Sequence, residues 1–241
     1  MKAITFIAIT LLAGAIAGTV LGAINQVAVE PYIENAIELE MRNTAQSGEV
    51  ANLAELASYR LWQKGGEIIG GTLLGLSIGS LYGIVFAYTR GSISSNNNKK
   101  KALIVASIMW FVLFLMPALK YPANPPGVGD PETIYYRQSL YVTFLAISGF
   151  SALGLAFLYR KMPSSNTRRL IIPLAYAAIM AGAYLAMPPN PDPINAPTDL
   201  VTGFRIASAI TISMFWILLG IIFGSFWDKL HPDKTARISI R

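Results

Sequence analysis

The sequence predicts an all-α, polytopic membrane bundle of six transmembrane helices set out as three hairpins. Composition is the first observation behind this: of 241 residues, 54% are hydrophobic and only 13% charged, and the mean hydropathy is +0.49. Length is the second. Six apolar runs, at about 3–24, 66–88, 102–119, 139–159, 170–187 and 206–227, are each close to the ~20 residues that cross a hydrocarbon core about 30 Å thick. Repetition is the third. The turns from Tyr121 to Arg137 and from Met187 to Arg205 both begin P-x-N-P, with Pro122, Asn124 and Pro125 echoed by Pro188, Asn190 and Pro191. Both close on an aromatic–Arg pair, Tyr136-Arg137 and Phe204-Arg205, and a third pair, Tyr59-Arg60, ends the other long turn on that side.

Six spans leave no room for a separate soluble domain, so residues 1–230 read as one transmembrane domain and 231–241 as a cytoplasmic tail. The net charge of +6 does not point to nucleic acid, because the basic residues flank apolar runs in short loops, where the positive-inside bias places them. Without cysteine the chain has neither disulfides nor thiolate ligands, and its one histidine, His231, lies in the tail. Lys2 before an apolar run resembles a signal peptide, but that run is longer than an h-region.

The first helix carries Gly14, Gly18 and Gly22 at every fourth position, a stripe with no side chains to hold a neighbour away. The second repeats the device with Gly71, Gly75, Gly79 and Gly83, and the two stripes are expected to pack together. Between them lies an amphipathic outer insertion at about 29–64. Pro31 opens a pattern with Ile33, Ile37 and Met41 beside Glu34, Glu38 and Glu40, and Ser47-Gly48 interrupts it. Val50, Leu53, Ala54, Ala57 and Leu61 then form a second stripe ending at Tyr59-Arg60-Leu61-Trp62, suited either to a lid over the bundle or to a plain interfacial hairpin. The third and fifth helices are the short ones, ending near Pro117 and Pro188. The turns after them either dip toward the membrane or lie above the headgroups.

Charge sets the expected orientation. Lys99, Lys100 and Lys101, then Arg160, Lys161, Arg168 and Arg169, then Lys229, Lys234, Arg237 and Arg241 mark alternate loops and the tail. One face thereby holds 13 of the 19 Lys and Arg, while the other holds 11 of the 13 Asp and Glu. Both termini are expected in the cytoplasm of a cell-membrane protein, and the proline turns and first loop outside.

No catalytic motif is present: there is no nucleophile elbow, phosphate loop or zinc helix, so the chain does not read as an enzyme. No resident cofactor is implied. A bound cation would have to use oxygens from Glu30, Glu67, Asp130, Glu132, Asp192 or Asp199, with the amides Asn124 and Asn190. Glu67, just inside the second helix, reads either as an ion ligand or partner of Arg60 or Lys64, or as a first-turn acid favoured by the helix dipole. Arg60, Arg137 and Arg205 are expected to converge at the outer mouth, with those same carboxylates and amides interleaved. A guanidinium can grip several carbonyls at once, so a structural clasp is favoured over direct contact with a cationic solute.

The run Met116-Pro117-Ala118-Leu119-Lys120-Tyr121-Pro122-Ala123-Asn124-Pro125-Pro126-Gly127, followed by Tyr136-Arg137-Gln138, resembles the CbtA family of predicted cobalt transporter subunits. Val29-Glu30-Pro31 after the first helix, the glycine-laddered second helix and the last helix entered through Arg205 extend the resemblance over about residues 1–227. It implies a membrane subunit for uptake of cobalt(II), linked to cobalamin synthesis, with a small His-rich membrane partner, CbtB. The alternative is a non-transporting accessory or structural subunit of a larger membrane protein complex; the partners expected are the bilayer, the CbtB-like subunit, and a second copy of the chain or a larger membrane complex.

Overall fold

The computed structural model describes residues 2–46, 53–163 and 166–233. Ser47-Gly48, Val50 and the tail residues Lys234, Arg237 and Arg241 lie outside the described residues. Eight α-helices are described: α1 Ala3–Ala28, α2 Glu30–Gln46, α3 Leu53–Thr89, α4 Asn98–Trp110, α5 Met116–Lys120, α6 Ile134–Lys161, α7 Asn166–Ala186 and α8 Thr198–Leu230. A π-helical turn, Phe111–Leu115, joins α4 to α5, so that 98–120 is one span; no strand occurs among the described residues. Six segments are long and apolar enough to cross a membrane: 3–28, 58–92, 98–120, 131–161, 166–186 and 198–230. The chain is a multi-pass membrane protein. The observed helices outrun the apolar windows because polar residues at their ends keep satisfying the backbone ladder beyond the hydrocarbon.

One element differs from expectation. The second amphipathic stripe is not a separate surface helix: α3 begins at Leu53 and runs unbroken for 37 residues, about 55 Å. Gly65-Gly66 therefore does not start a helix, and Glu67 sits in its interior, so the first-turn reading of that acid falls. The third span ends at Lys120, one residue beyond the expected 119. Its π turn absorbs the proline, which lacks an N–H and crowds the preceding turn.

The chain forms two compact units, Met1–Ile108 with Ile206–Arg241, and Met109–Arg205. In the first, α1 and α3 meet backbone to backbone. A Cβ on Gly71 would lie 2.6 Å from the Gly18 carbonyl oxygen, and one on Gly79 would lie 2.7 Å from Gly14 Cα. Gly14, Gly18 and Gly22 thus face Gly79, Gly75, Gly71 and the backbone of Ile68, while Gly83 faces the Thr10 side chain. A second close pair was not anticipated. Gly220 and Gly224 on α8 lie against Leu103, Ala106 and the Lys99 backbone of α4, on the same four-residue spacing. Tyr82, Phe86, Phe223 and Trp227 fill the space beside these seams, with ring centroids 4.9–5.0 Å apart from Tyr82 to Phe223, Phe86 to Phe223 and Phe86 to Trp227.

The second unit has a smaller core of Tyr121, Leu140, Phe144 and Met180. At its centre the π turn meets two other helices. The register in which Met116 N–H bonds the Phe111 carbonyl would pair the Val112 carbonyl with Pro117, which has no N–H to give. Ser148 Oγ of α6 donates to that carbonyl instead at 2.6 Å, and the Tyr176 hydroxyl of α7 lies 2.7 Å from Ser148 Oγ.

Candidate functional site: two proline turns and a charged hairpin

Arg137 sits one turn into α6, where its guanidinium reaches back over the loop that precedes the helix. Nε lies 2.9 Å from Asp192 Oδ2 and donates to Thr133 Oγ1 at 3.1 Å. Nη2 donates to the Asp130 carbonyl at 3.0 Å, and Nη1 reaches the Val128 carbonyl at 3.4 Å. Asp192 belongs to the second proline turn, so the fork of one side chain holds both turns. The same carboxylate oxygen accepts from Thr133 Oγ1 at 2.6 Å and from the Asp130 backbone N–H at 2.9 Å. Those bonds, the Thr133 hydroxyl foremost, with the nearby guanidinium, hold the Asp192 carboxyl below its ordinary range despite desolvation. Gly129 is required here. Its φ is +96°, and a Cβ would lie 2.7 Å from Asp192 Oδ2 and 2.8 Å from Arg137 Nη1.

Three further contacts join the turns. Arg205, near the start of α8, donates from Nε to the Ala123 carbonyl at 3.0 Å and from Nη2 to Asn124 Oδ1 at 2.6 Å. The Tyr121 hydroxyl donates to the Pro188 carbonyl at 2.6 Å, and Lys120 Nζ donates to the Tyr184 carbonyl at 2.8 Å while lying over the Tyr184 ring. The two echoed asparagines take different tasks. Asn124 accepts from Arg205, whereas Asn190 Oδ1 accepts the Asp192 backbone N–H at 3.2 Å and shapes its own turn. Asp130 Oδ1 accepts the Glu132 N–H in the same way, and the side chains of Glu132 and Asp199 are exposed.

Arg60 belongs to the other unit. Glu30, buried at the start of α2, accepts its Nη2, and Arg60 Nη1 donates to Gln63 at 2.6 Å. Lys64, one turn on, bonds Glu34 and lies 3.5 Å from Glu30. Lys64 holds the Glu34 carboxyl below its ordinary value, through a hydrogen bond first and its charge second. These pairs fasten α2 along the first turns of α3, which explains why α3 remains helical so far before its apolar stretch. Glu67 does not pair with Arg60 or Lys64. Gln26 Nε2 of α1 donates to its Oε2 at 2.8 Å and to the Lys64 carbonyl at 2.7 Å.

Sequence reasoning missed Thr133, Gln26, Ser148 and Tyr176. Thr133 stands four residues before Arg137, a helical spacing that was readable; the other three reveal themselves only through tertiary contacts. Among the described residues no three His, Cys, Asp or Glu side chains gather into a group able to hold a metal ion. Glu30 in the first unit and Asp192 in the second are each engaged by a guanidinium group.

No curated protein and no solved structure matches the chain. A family described as "Probable cobalt transporter subunit (CbtA)" matches residues 3–228, nearly the whole described chain. On that span the chain belongs to the CbtA family of probable cobalt transporter subunits.

Proposed function

We propose that the chain is the integral membrane subunit of a cobalt(II) uptake system in the cell membrane, working with a small His-rich membrane partner. The observation that carries this reading is the family match over residues 3–228. Six membrane-crossing helices suit the role, and the Lys and Arg bias argues for cytoplasmic termini with the proline turns outside. In this reading the clasped turns are the outer rim. Arg137 and Arg205 order it, and Arg60 does the same for the α2–α3 hairpin. The committed state of Glu30 and Asp192 supports a scaffold whose metal ligands come chiefly from a partner.

The test is cobalt accumulation in cells carrying the chain alone, the partner alone, both or neither, measured by elemental mass spectrometry. Accumulation that requires the chain is expected. Unchanged accumulation, with stoichiometric copurification of another membrane protein, would instead identify a non-transporting accessory subunit. Cysteines introduced in place of Asn96 and Pro126 test orientation: only the latter should react with an impermeant reagent in sealed cells.

A further inference from the structure

Four helix ends of the first unit meet at one place, and the charge there is one-sided. The Lys2 N–H donates to the Pro232 carbonyl at 2.8 Å, Asn98 Nδ2 donates to Asp228 Oδ1 at 2.8 Å, and a Cβ on Gly224 would lie 2.7 Å from Lys99 Cα. Arg90, one residue past α3, lies 4.7 Å over the Trp227 ring, so the start of α1, the end of α3, the start of α4 and the end of α8 are neighbours. Six basic side chains stand on these ends, Lys2, Arg90, Lys99, Lys100, Lys101 and Lys229, against two acids, Asp228 and Asp233. Both acids are already engaged. Asp228 accepts from Asn98, and one oxygen of Asp233 faces both Nη atoms of Arg90 at 3.4 Å. None of the five lysines makes an ion pair among the described residues. Three of them occupy the first turn of α4, which holds no acid and where the helix dipole is itself positive.

Charge of one sign works against the folded chain until a counter-charge arrives. Every one of these cations lies at an end of a segment long and apolar enough to cross a membrane, 3–28, 58–92, 98–120 or 198–230, so the nearest anions are those of the headgroup layer. We infer that this patch binds the phosphate headgroups of anionic phospholipids in the leaflet beside it. Arg90 is suited to anchor one of them. Its guanidinium rests on the fully buried Trp227, its contacts to Asp233 are long, and its Nε makes no hydrogen bond among the described residues. A guanidinium takes two phosphate oxygens at once, and the lysines of α4 add mobile point charges around it. Occupancy would tie the ends of α1, α3, α4 and α8 together where the protein itself supplies few bonds.

The experiment titrates phosphatidylglycerol or phosphatidylcholine into the purified full chain in detergent and follows thermal unfolding at equal ionic strength. A saturable rise in Tm of several degrees with phosphatidylglycerol over phosphatidylcholine is expected, and it should shrink as salt is added. Lys99→Gln and Lys100→Gln change exposed side chains and so should fold. Each should raise the half-saturating phosphatidylglycerol concentration about fivefold, and the triple variant that adds Lys101→Gln should erase the difference between the lipids. A matched triple in the basic loop of the second unit, Arg160→Gln, Lys161→Gln and Arg169→Gln, should leave it intact. No preference for phosphatidylglycerol in the parent overturns the inference, as does an equal loss in the two triples, which would mean diffuse attraction to any basic loop. A rise as large with inorganic phosphate also overturns it and assigns the patch to a soluble anion. This readout does not involve cobalt, so the uptake reading stands or falls separately.

Discussion

Replacing Ser148 by Ala removes one hydroxyl from the centre of the second unit and so tests how a membrane helix tolerates an internal proline. Ser148 is fully buried and supplies the donor that Pro117 denies to the Val112 carbonyl. Leaving a buried carbonyl unsatisfied costs about 1–3 kcal/mol in general, while interhelical side-chain bonds in membranes average about 0.6 and reach about 1.7 kcal/mol. Here the carbonyl is orphaned and the Tyr176 hydroxyl loses its partner as well, which places the expected cost near 2 kcal/mol. For a chain of this size that corresponds to a fall in Tm of about 4–8 °C, read by circular dichroism in detergent. The decisive measurement is a cycle with Pro117→Ala. Alanine restores an N–H five residues beyond Val112, so the cost of Ser148→Ala should drop below about 1 kcal/mol in that background. If Ser148→Ala costs the same with alanine at 117 as with proline, the hydroxyl is not standing in for the missing amide and the account is wrong.

The glycine seam predicts a sharp contrast on one helix: Gly75→Leu should abolish folded protein in detergent, because its Cβ meets backbone, while Gly70→Leu, with open space around it, should express and melt like the parent. Arg137→Lys keeps the charge but loses the fork that grips Asp192 and the Asp130 carbonyl, and is expected to lose about 2 kcal/mol of unfolding free energy; unchanged stability would show that charge alone suffices. The Asp192 carboxyl is depressed below 3.8, so its contribution is complete above that pH and disappears as the pH falls below it toward the folded-state value. Asp192→Asn should therefore lower stability at neutral pH and flatten the acid limb of the stability profile, and a parallel acid limb in parent and variant would contradict the role given to this group.

The six spans were legible because hydrocarbon selects length and apolarity, and neither depends on partners. Gly14, Gly18 and Gly22 could be matched to Gly71, Gly75 and Gly79 because close backbone contact leaves a spacing in the sequence. Gly220 and Gly224 carry the same spacing on α8 and were readable by the same rule. The start of α3 was not. Gly65-Gly66 has the look of a break, and only the Glu30–Arg60 and Glu34–Lys64 pairs, made between residues 30 apart, show what keeps the helix running. Arg137 was legible as a clasp by its chemistry, since a guanidinium among loop carbonyls has few other uses. That its carboxylate is Asp192 rather than Asp130 or Glu132 depends on two loops meeting, which local pattern does not encode. Pro117 announced an irregularity, but the hydroxyl answering it lies 31 residues away on another helix.

The contacts of Lys120 and Tyr121 bear on the order in which the chain assembles. They reach carbonyls at and just past the end of α7, at Tyr184 and Pro188, where a helix has exhausted its own donors. A terminus left in that condition inside a bilayer would have to stay within reach of water. Residues 120 and 121 precede residue 188 in the chain, so the donors for the last turn of α7 are synthesised before it. A chain rearranged so that α7 is made before the third span would have to hold that end at the surface until its donors arrived.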